Sequence, residues 1–424
     1  MPTPPEELIA AWVGIDWADD HHDVALQVAG SDAVEAHRLA HTPDALATWR
    51  AQLAARFGGR PVAIALETSR GPLVAALLEA PFVVLYPIKP RSLRRFREAF
   101  SPSGAKDDAP DARLLLTLLV KHHAQLQPWR PEAPATRLLA YLVQERRAAV
   151  ELRTALTLQL GAALKDYFPH ALEWAGDDLS APMATAFLQR WPTLAAVQRA
   201  RVDTVRQFYT QHRCRSHARI AARLAAIRTA VPLTRDAALI TARVAVVQLL
   251  VAQLRALAPS LARVDALIAE QFAQHPEAPL FAALPGAGAA LAPRLLVAFG
   301  TDRTRFPSAE AVQTQVGIAP ITIRSGRSEQ VHWRWTTSTF LRQTFHEYAL
   351  HSIRESAWAR AFYTQQRQRG KSHHAAVRSL AYKWIRILWR CWHDRTAYDE
   401  ARYHRALHLR HSPLATAVKQ HNAA

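Results

Sequence analysis

A chain of 424 residues, half of them apolar, is long enough for two or three domains with sizeable cores. Lys and Arg total 53 against 35 acids, and the resulting +18 points to a polyanionic partner, nucleic acid first, with a generally Arg-rich protein as the duller account. The 2 cysteines, Cys214 and Cys391, offer neither a disulfide framework nor a zinc spacing, the N-terminal stretch lacks the regions of a signal peptide, and no uncharged apolar run of about 18 residues suggests a membrane span, so a cytoplasmic protein is expected.

Strand and helix signals alternate through residue 130. Residues 12–16 and 24–28 read as short strands joined by a polar turn over 18–23, an antiparallel hairpin. Residues 43–57 read as a helix with Leu46, Trp49, Leu53 and Phe57 on one face. A strand over 61–66 ends on Glu67, a short helix follows over 71–80, and an apolar strand over 82–86 stops at Pro87. A basic helix over 91–100 and a longer one over 108–123 complete a mixed sheet covered by helices.

The middle, 131–276, reads as helical. A long helix spans 136–167, and shorter ones over 175–231 carry the basic stretch 211–219, which reads equally as a solvated helix face. Farther on, Val247, Leu250, Leu254, Leu257, Leu261, Val264 and Ile268 repeat as a heptad seam, the mark of a coiled coil or a helical hairpin, with Pro259 expected to kink or break it. From 277 to 405 a mostly α-helical domain is expected, containing the glycine turn Pro285-Gly-Ala-Gly288, a loop over 321–335 rich in Arg and Ser, and six of the chain's 12 tryptophans between Trp333 and Trp392, most of them for packing. Residues 406–424 read as a loose basic tail.

Four acids stand out. Asp16 and Glu67 close two strands, and Asp108 and Asp111 open a helix at i, i+3, which puts them on one helical face. Adjacent strands bring Asp16 and Glu67 to one point at a sheet edge, and the helix can bring Asp108, Asp111 or both there. Close, buried carboxylates repel, and a hard divalent cation such as Mg²⁺ resolves the conflict. Two such ions could cleave a phosphodiester. Each acid also has a plainer role: Asp16, Asp19, Asp20 and Asp23 as solvated turn residues, Glu67 as a partner of Arg70, Asp108 as an N-cap. Spacing alone does not choose between Asp107 and Asp108.

Ser325 lies between Arg324 and Gly326, with Arg327 next, in a loop suited to phosphate. Its hydroxyl is a candidate nucleophile for a phosphodiester, with His332 as a candidate helper, against the plainer reading of a Ser-Gly turn. The Pro285-Gly-Ala-Gly288 turn suits phosphate binding at a helix start, or simply joins two helices.

These residues resemble the transposases of the insertion-sequence 110 family, relatives of the pilin-gene inverting recombinase. The resemblance rests on Gly14-Ile-Asp16, Leu66-Glu67-Thr68 and Lys106-Asp-Asp108-Ala-Pro-Asp111-Ala112, and in the second half on Pro285-Gly-Ala-Gly288, Phe306-Pro-Ser308, Gly317-Ile-Ala-Pro320 and Arg324-Ser325-Gly326. It implies a RuvC-like (RNase H-fold) DEDD domain over 1–130, selects Asp108 over Asp107, and makes Asp16, Glu67, Asp108 and Asp111 the Mg²⁺ ligands and catalytic acids, with Ser325 the catalytic serine. It further implies donor and target DNA as substrates, a structured bridge RNA as guide, a serine covalently joined to DNA, and a composite site completed by another subunit of a homodimer that pairs into a tetramer, with the heptad seam as a contact. The competing expectations are a RuvC-like junction nuclease or a DNA invertase, and an inactive relic that only binds nucleic acid.

Overall fold

The computed structural model describes residues 8–100, 111–129, 131–326, 328–332, 334 and 337–422. The chain divides into two compact units, 1–131 and 132–424.

The first unit is built on β1 (Ala11–Trp17), β2 (His21–Val28), β3 (Val34–Ala40), β4 (Val62–Leu66) and β5 (Val83–Pro87), interleaved with α1 (Pro43–Phe57) and α2 (Pro72–Leu77) and followed by α3 (Pro90–Phe100) and α4 (Asp111–His122). The sheet order is β3-β2-β1-β4-β5; β1 runs antiparallel to β2 and parallel to β4, and β5 extends the parallel side. This mixed five-stranded sheet with helices on both faces is the RNase H-like arrangement. Strand alternation sorts its residues. Val13, Ile15, Val62, Ile64 and Leu66 face α1 and α2, where Leu46, Trp49, Leu53 and Phe57 complete a core of bulky side chains. Trp12, Ala25, Ala63, Ala65 and Tyr86 face α3 and α4.

Strand β3 is absent from the sequence expectation. It is an edge strand with only Leu39 buried, so it carries no apolar alternation to read. Between β1 and β2 the polar link is tighter than expected, and His22 pins it. Its ring is fully buried, meets His41 at 2.8 Å, and accepts from the Ala18 N–H at 3.4 Å. Burial first, then His41 and His21, push the His22 imidazole down to about 4. The folded chain therefore resists a proton that the unfolded chain takes up below its usual pKa near 6.5. Stability contributed by neutral His22 is lost as pH falls through that window, a loss on the order of 2–3 kcal/mol by pH 4. Thermal melts of the wild type and His22→Gln across pH 7 to 4 check this: the variant should show the flatter dependence.

The second unit opens with α5 (Pro134–Tyr167), continues through α6 (Ala171–Trp174), α7 (Pro182–Arg190), α8 (Leu194–Arg199), α9 (Val202–Gln211) and α10 (His217–Thr229), and returns on α11 (Ala237–Ala273). Helices α5 and α11 pack antiparallel, tied by Thr136 to His275 at 2.9 Å, by Arg146 to Asp265, and by Arg243 to Asp166 at 2.7 Å. The heptad residues Val247, Leu250, Leu254, Leu261 and Ile268 are buried inside this chain, so the seam is an intramolecular helical hairpin. That hairpin joins two cores: Leu139, Val143 and Ile268 belong to one, Leu156, Leu160, Val247 and Leu250 to the other. Helix α11 continues through Pro259 rather than ending there. It is also long and apolar enough, at a mean hydropathy of 1.8, to cross a membrane by length and composition. The sequence expectation sought an uncharged run of about 18 residues, and Arg243 and Arg255 interrupt this one; two ion pairs and the buried seam pack it against α5. Within α5, Gly161 has room for a methyl group, 3.6 Å from Leu179 Cδ1. Gly161→Ala should stabilise the chain by about 0.5–1 kcal/mol, measured by denaturant titration.

The remainder comprises α12 (Ala278–Ala282), α13 (Gly288–Phe299), α14 (Ala309–Gln315), a hairpin of β6 (Ile321–Ser325) and β7 (Ser328–His332), α15 (Thr339–Glu355), α16 (Ala357–Gln368), α17 (His373–His393), α18 (Glu400–Leu409) and α19 (Pro413–Asn422). Trp358, Trp384 and Trp392 are fully buried and each indole N–H is satisfied, by Tyr398, Ser352 and the Gly300 carbonyl respectively. The expected basic tail is instead helical: α19 buries Leu414, Ala415 and Val418 in the same core.

Candidate active site

The register places the acids. Ile15 pairs with Leu66, so Asp16 and Glu67 leave adjacent parallel strands at the same level. Strand alternation puts both on the face covered by α4, at the carboxyl ends of β1 and β4, between which the strand order reverses and where open α/β sheets place their sites.

What brings α4 to them is the absence of a side chain. A Cβ on Gly14 would lie 2.0 Å from the Ala112 carbonyl oxygen and 2.5 Å from the Leu116 nitrogen, so α4 rests directly on β1. Ala25, Ala63 and Ala65 keep the rest of this face low. Asp111, the first residue of α4 and the neighbour of Ala112, is thereby set beside Asp16 and Glu67.

The electrostatics accord with this placement. Burial pushes the Asp16 carboxyl above the usual carboxylate range, Asp111 and Asp23 add to the rise, and Arg97 and the Trp17 backbone N–H oppose it. Burial likewise raises Glu67, with Asp111 and Asp16 adding to it and Arg97 opposing. Asp23 stands opposite Asp16 in the β1–β2 register and pairs with Arg38 at 3.4 Å, so it is more than the solvated turn residue the sequence suggested. Asp107 and Asp108 lie outside the described residues.

The roles of two residues escaped the sequence reading. Gly14 was legible only as part of a motif, because its steric role needs α4. Arg97, on α3, donates to Asp111, and its positive charge opposes the upward shifts of Asp16 and Glu67. Basic residues crowd α3, and nothing local singles this one out.

The donor set is all carboxylate oxygen, half-buried and mutually repelling, which fits a hard divalent ion. Among the described residues no group of three His, Cys, Asp or Glu side chains is gathered closely enough to hold one, and Arg97 engages Asp111.

In the second unit Ser325 is the last residue of β6, paired with Ser328 across a turn whose Gly326 has φ +57°. The expected loop over 321–335 is therefore a hairpin through His332. It was hidden because Ile323 and Val331 are exposed, leaving no buried face to read. The same register sets His332 opposite Ile321, four residues from the Ser325–Ser328 pair, roughly 13 Å along the strand, and its ring meets Gln330 at 3.0 Å. Within this hairpin His332 is out of reach as a helper. Gly317, at φ +74°, leaves space that Thr337 Oγ1 fills. Gly286 serves packing too: a Cβ there would lie 2.9 Å from the His351 carbonyl carbon, which accounts for the glycine turn without a ligand.

Comparison with known proteins follows this division of residues. A family model described as a transposase, of the DEDD type found in IS110 elements, matches residues 13–169, and a second, described as the transposase IS116/IS110/IS902 family, matches residues 278–364. The protein named "Mini-circle putative transposase for IS117" from Streptomyces coelicolor is 29% identical over 94% of this chain and 97% of its own. The insertion element IS900 uncharacterized 42 kDa protein of Mycobacterium paratuberculosis is 28% identical over 92% and 97%. The insertion element IS110 uncharacterized 43.6 kDa protein of Streptomyces coelicolor is 26% identical over 93% and 96%. With matches to both halves and relatives aligned nearly end to end, the chain belongs to the IS116/IS110/IS902 family of transposases.

Proposed function

We propose that this transposase cuts and exchanges DNA strands through a divalent-metal carboxylate site and a serine nucleophile, guided by a structured RNA. The observation that carries the reading is the placement of Asp16 and Glu67 at the level ends of adjacent parallel strands, with Asp111 opening the helix that packs on them. Asp16, Glu67, Asp108 and Asp111 would hold Mg²⁺, which when bound as two ions supplies activation of a nucleophile and stabilisation of a leaving oxygen. Ser325 Oγ attacks phosphorus, and the bond from phosphorus to one deoxyribose oxygen breaks. The proton lost by the serine balances the one gained by that oxygen, and the ester count is conserved, so strands can be rejoined without an energy source.

The net charge of +18 suits a protein that holds donor DNA, target DNA and a bridge RNA together. Because the heptad seam is occupied within the chain, assembly into dimers and tetramers would use other surfaces. Leu249 and Leu267 on α11, 59% and 42% exposed, and Leu152 and Leu158 on α5, 52% and 71% exposed, are candidates. The protein would act in the bacterial cytoplasm.

The test incubates purified protein with labelled donor and target duplexes and RNA transcribed from the flanking non-coding DNA, with Mg²⁺ or with a chelator. A protein–DNA adduct on a denaturing gel that requires both metal and RNA supports the proposal. Cleavage without an adduct would leave a metal-dependent nuclease instead.

A further inference from the structure

The carboxylate site already contains a cation of its own. Arg97 donates to Asp111 across the α3–α4 contact, and its charge also acts on Asp16 and Glu67. Its side chain is 41% exposed and that of Asp111 is 30% exposed, so the pair is open to solvent. A planar guanidinium engages a carboxylate and a phosphate with the same donors. An Asp111 oxygen that accepts from Arg97 has fewer lone pairs for a metal, and a guanidinium beside the acids repels a divalent ion.

We propose that Arg97 is the resident counter-ion of this site: it competes with divalent metal for Asp111, and once displaced it binds a phosphate oxygen of the DNA strand at the site. This rests on the proposed metal site. Without metal, Arg97 offsets part of the repulsion among the acids and keeps the α4 start in place. With metal, Asp111 turns to the ion and the guanidinium is released at the edge where the phosphodiester must lie. Metal loading thus arms the site for DNA. A purely structural tie between α3 and α4 would have neither consequence.

The test titrates the full-length protein with Mn²⁺, read by electron paramagnetic resonance of the free ion, in wild type, Arg97→Gln, Arg97→Lys and Asp16→Asn, with circular dichroism to confirm folding. Arg97→Gln should bind Mn²⁺ about three- to tenfold more tightly, because a half-exposed competing ion pair is lost. Arg97→Lys, which keeps the charge without the fork, should fall between, and it serves alone if the Gln variant does not fold. In a second arm, DNA binding is measured with Ca²⁺ and without metal. Arg97→Gln should weaken binding several-fold with Ca²⁺ and leave it unchanged without. Unchanged or weaker Mn²⁺ binding in the Arg97 variants, with Asp16→Asn abolishing it, would overturn the competition while leaving the metal site standing. Equal loss of DNA affinity with and without Ca²⁺ would overturn the handover to phosphate. A wild type that binds no Mn²⁺ would remove the metal site itself, and this proposal with it.

Discussion

Ser325→Ala is expected to abolish the covalent protein–DNA adduct and to slow strand exchange by about 10³-fold or more, the scale of losing a nucleophile. The substitution is clean because of where Ser325 lies. It is an extended strand residue at the end of β6, and the turn depends on Gly326 at φ +57°, so alanine leaves the hairpin backbone as it is. The loss then reports the hydroxyl. Asp16→Asn provides the contrast: it preserves shape but removes a charge from the carboxylate cluster, and should eliminate the adduct and every metal-dependent nick together. Should Asp16→Asn still form the adduct, the serine would be acting without the carboxylates. An adduct formed by Ser325→Ala would mean that a different side chain attacks. Both variants are read on the same denaturing gel.

Gly14→Ala, a single methyl group with no chemistry of its own, should cost nearly as much. The added carbon would stand 2.0 Å from the Ala112 carbonyl oxygen, a backbone atom that cannot rotate away. Helix α4 must lift off β1. Overpacking of this kind destabilises by about 3 kcal/mol, or roughly 10 °C in melting temperature for a unit of this size. The displacement carries Asp111 away from Asp16 and Glu67, and a misplacement near 1 Å costs on the order of 10²-fold in rate. The measurement pairs a thermal melt with nicking at a temperature where the variant is fully folded. Activity within a fewfold of wild type there would show that Asp111 need not sit against β1. Gly161→Ala serves as the opposite case, a glycine whose added methyl has room.

Much of the first unit could be read in advance where local rules and burial agree. Helix α1 has its expected bounds and its expected buried face, because Thr42 caps its start, Pro43 suits its first turn, and Gly58 adopts φ 61° at its end. The strand-end acids were legible because a carboxylate after an apolar run such as 62–66 is costly without a partner. Strands β3, β6 and β7 were not, since exposed strands carry no apolar alternation.

The heptad in α11 shows the division most clearly. Its period, and hence a helix with one sticky face, follows from residue spacing alone, because 3.6 residues per turn is a property of the backbone. Its partner does not: whether Val247 and Leu254 meet another chain or α5 depends on where α5 lies, and the fold supplies α5. The site divides in the same way. Sequence position was enough to nominate Asp16, Glu67 and Asp111, since strand ends and helix starts are local. That Gly14 is the contact on which α4 rests, and that Arg97 rather than any neighbouring arginine meets Asp111, depends on two elements distant in sequence pressing together, and packing at that distance is set by the whole fold.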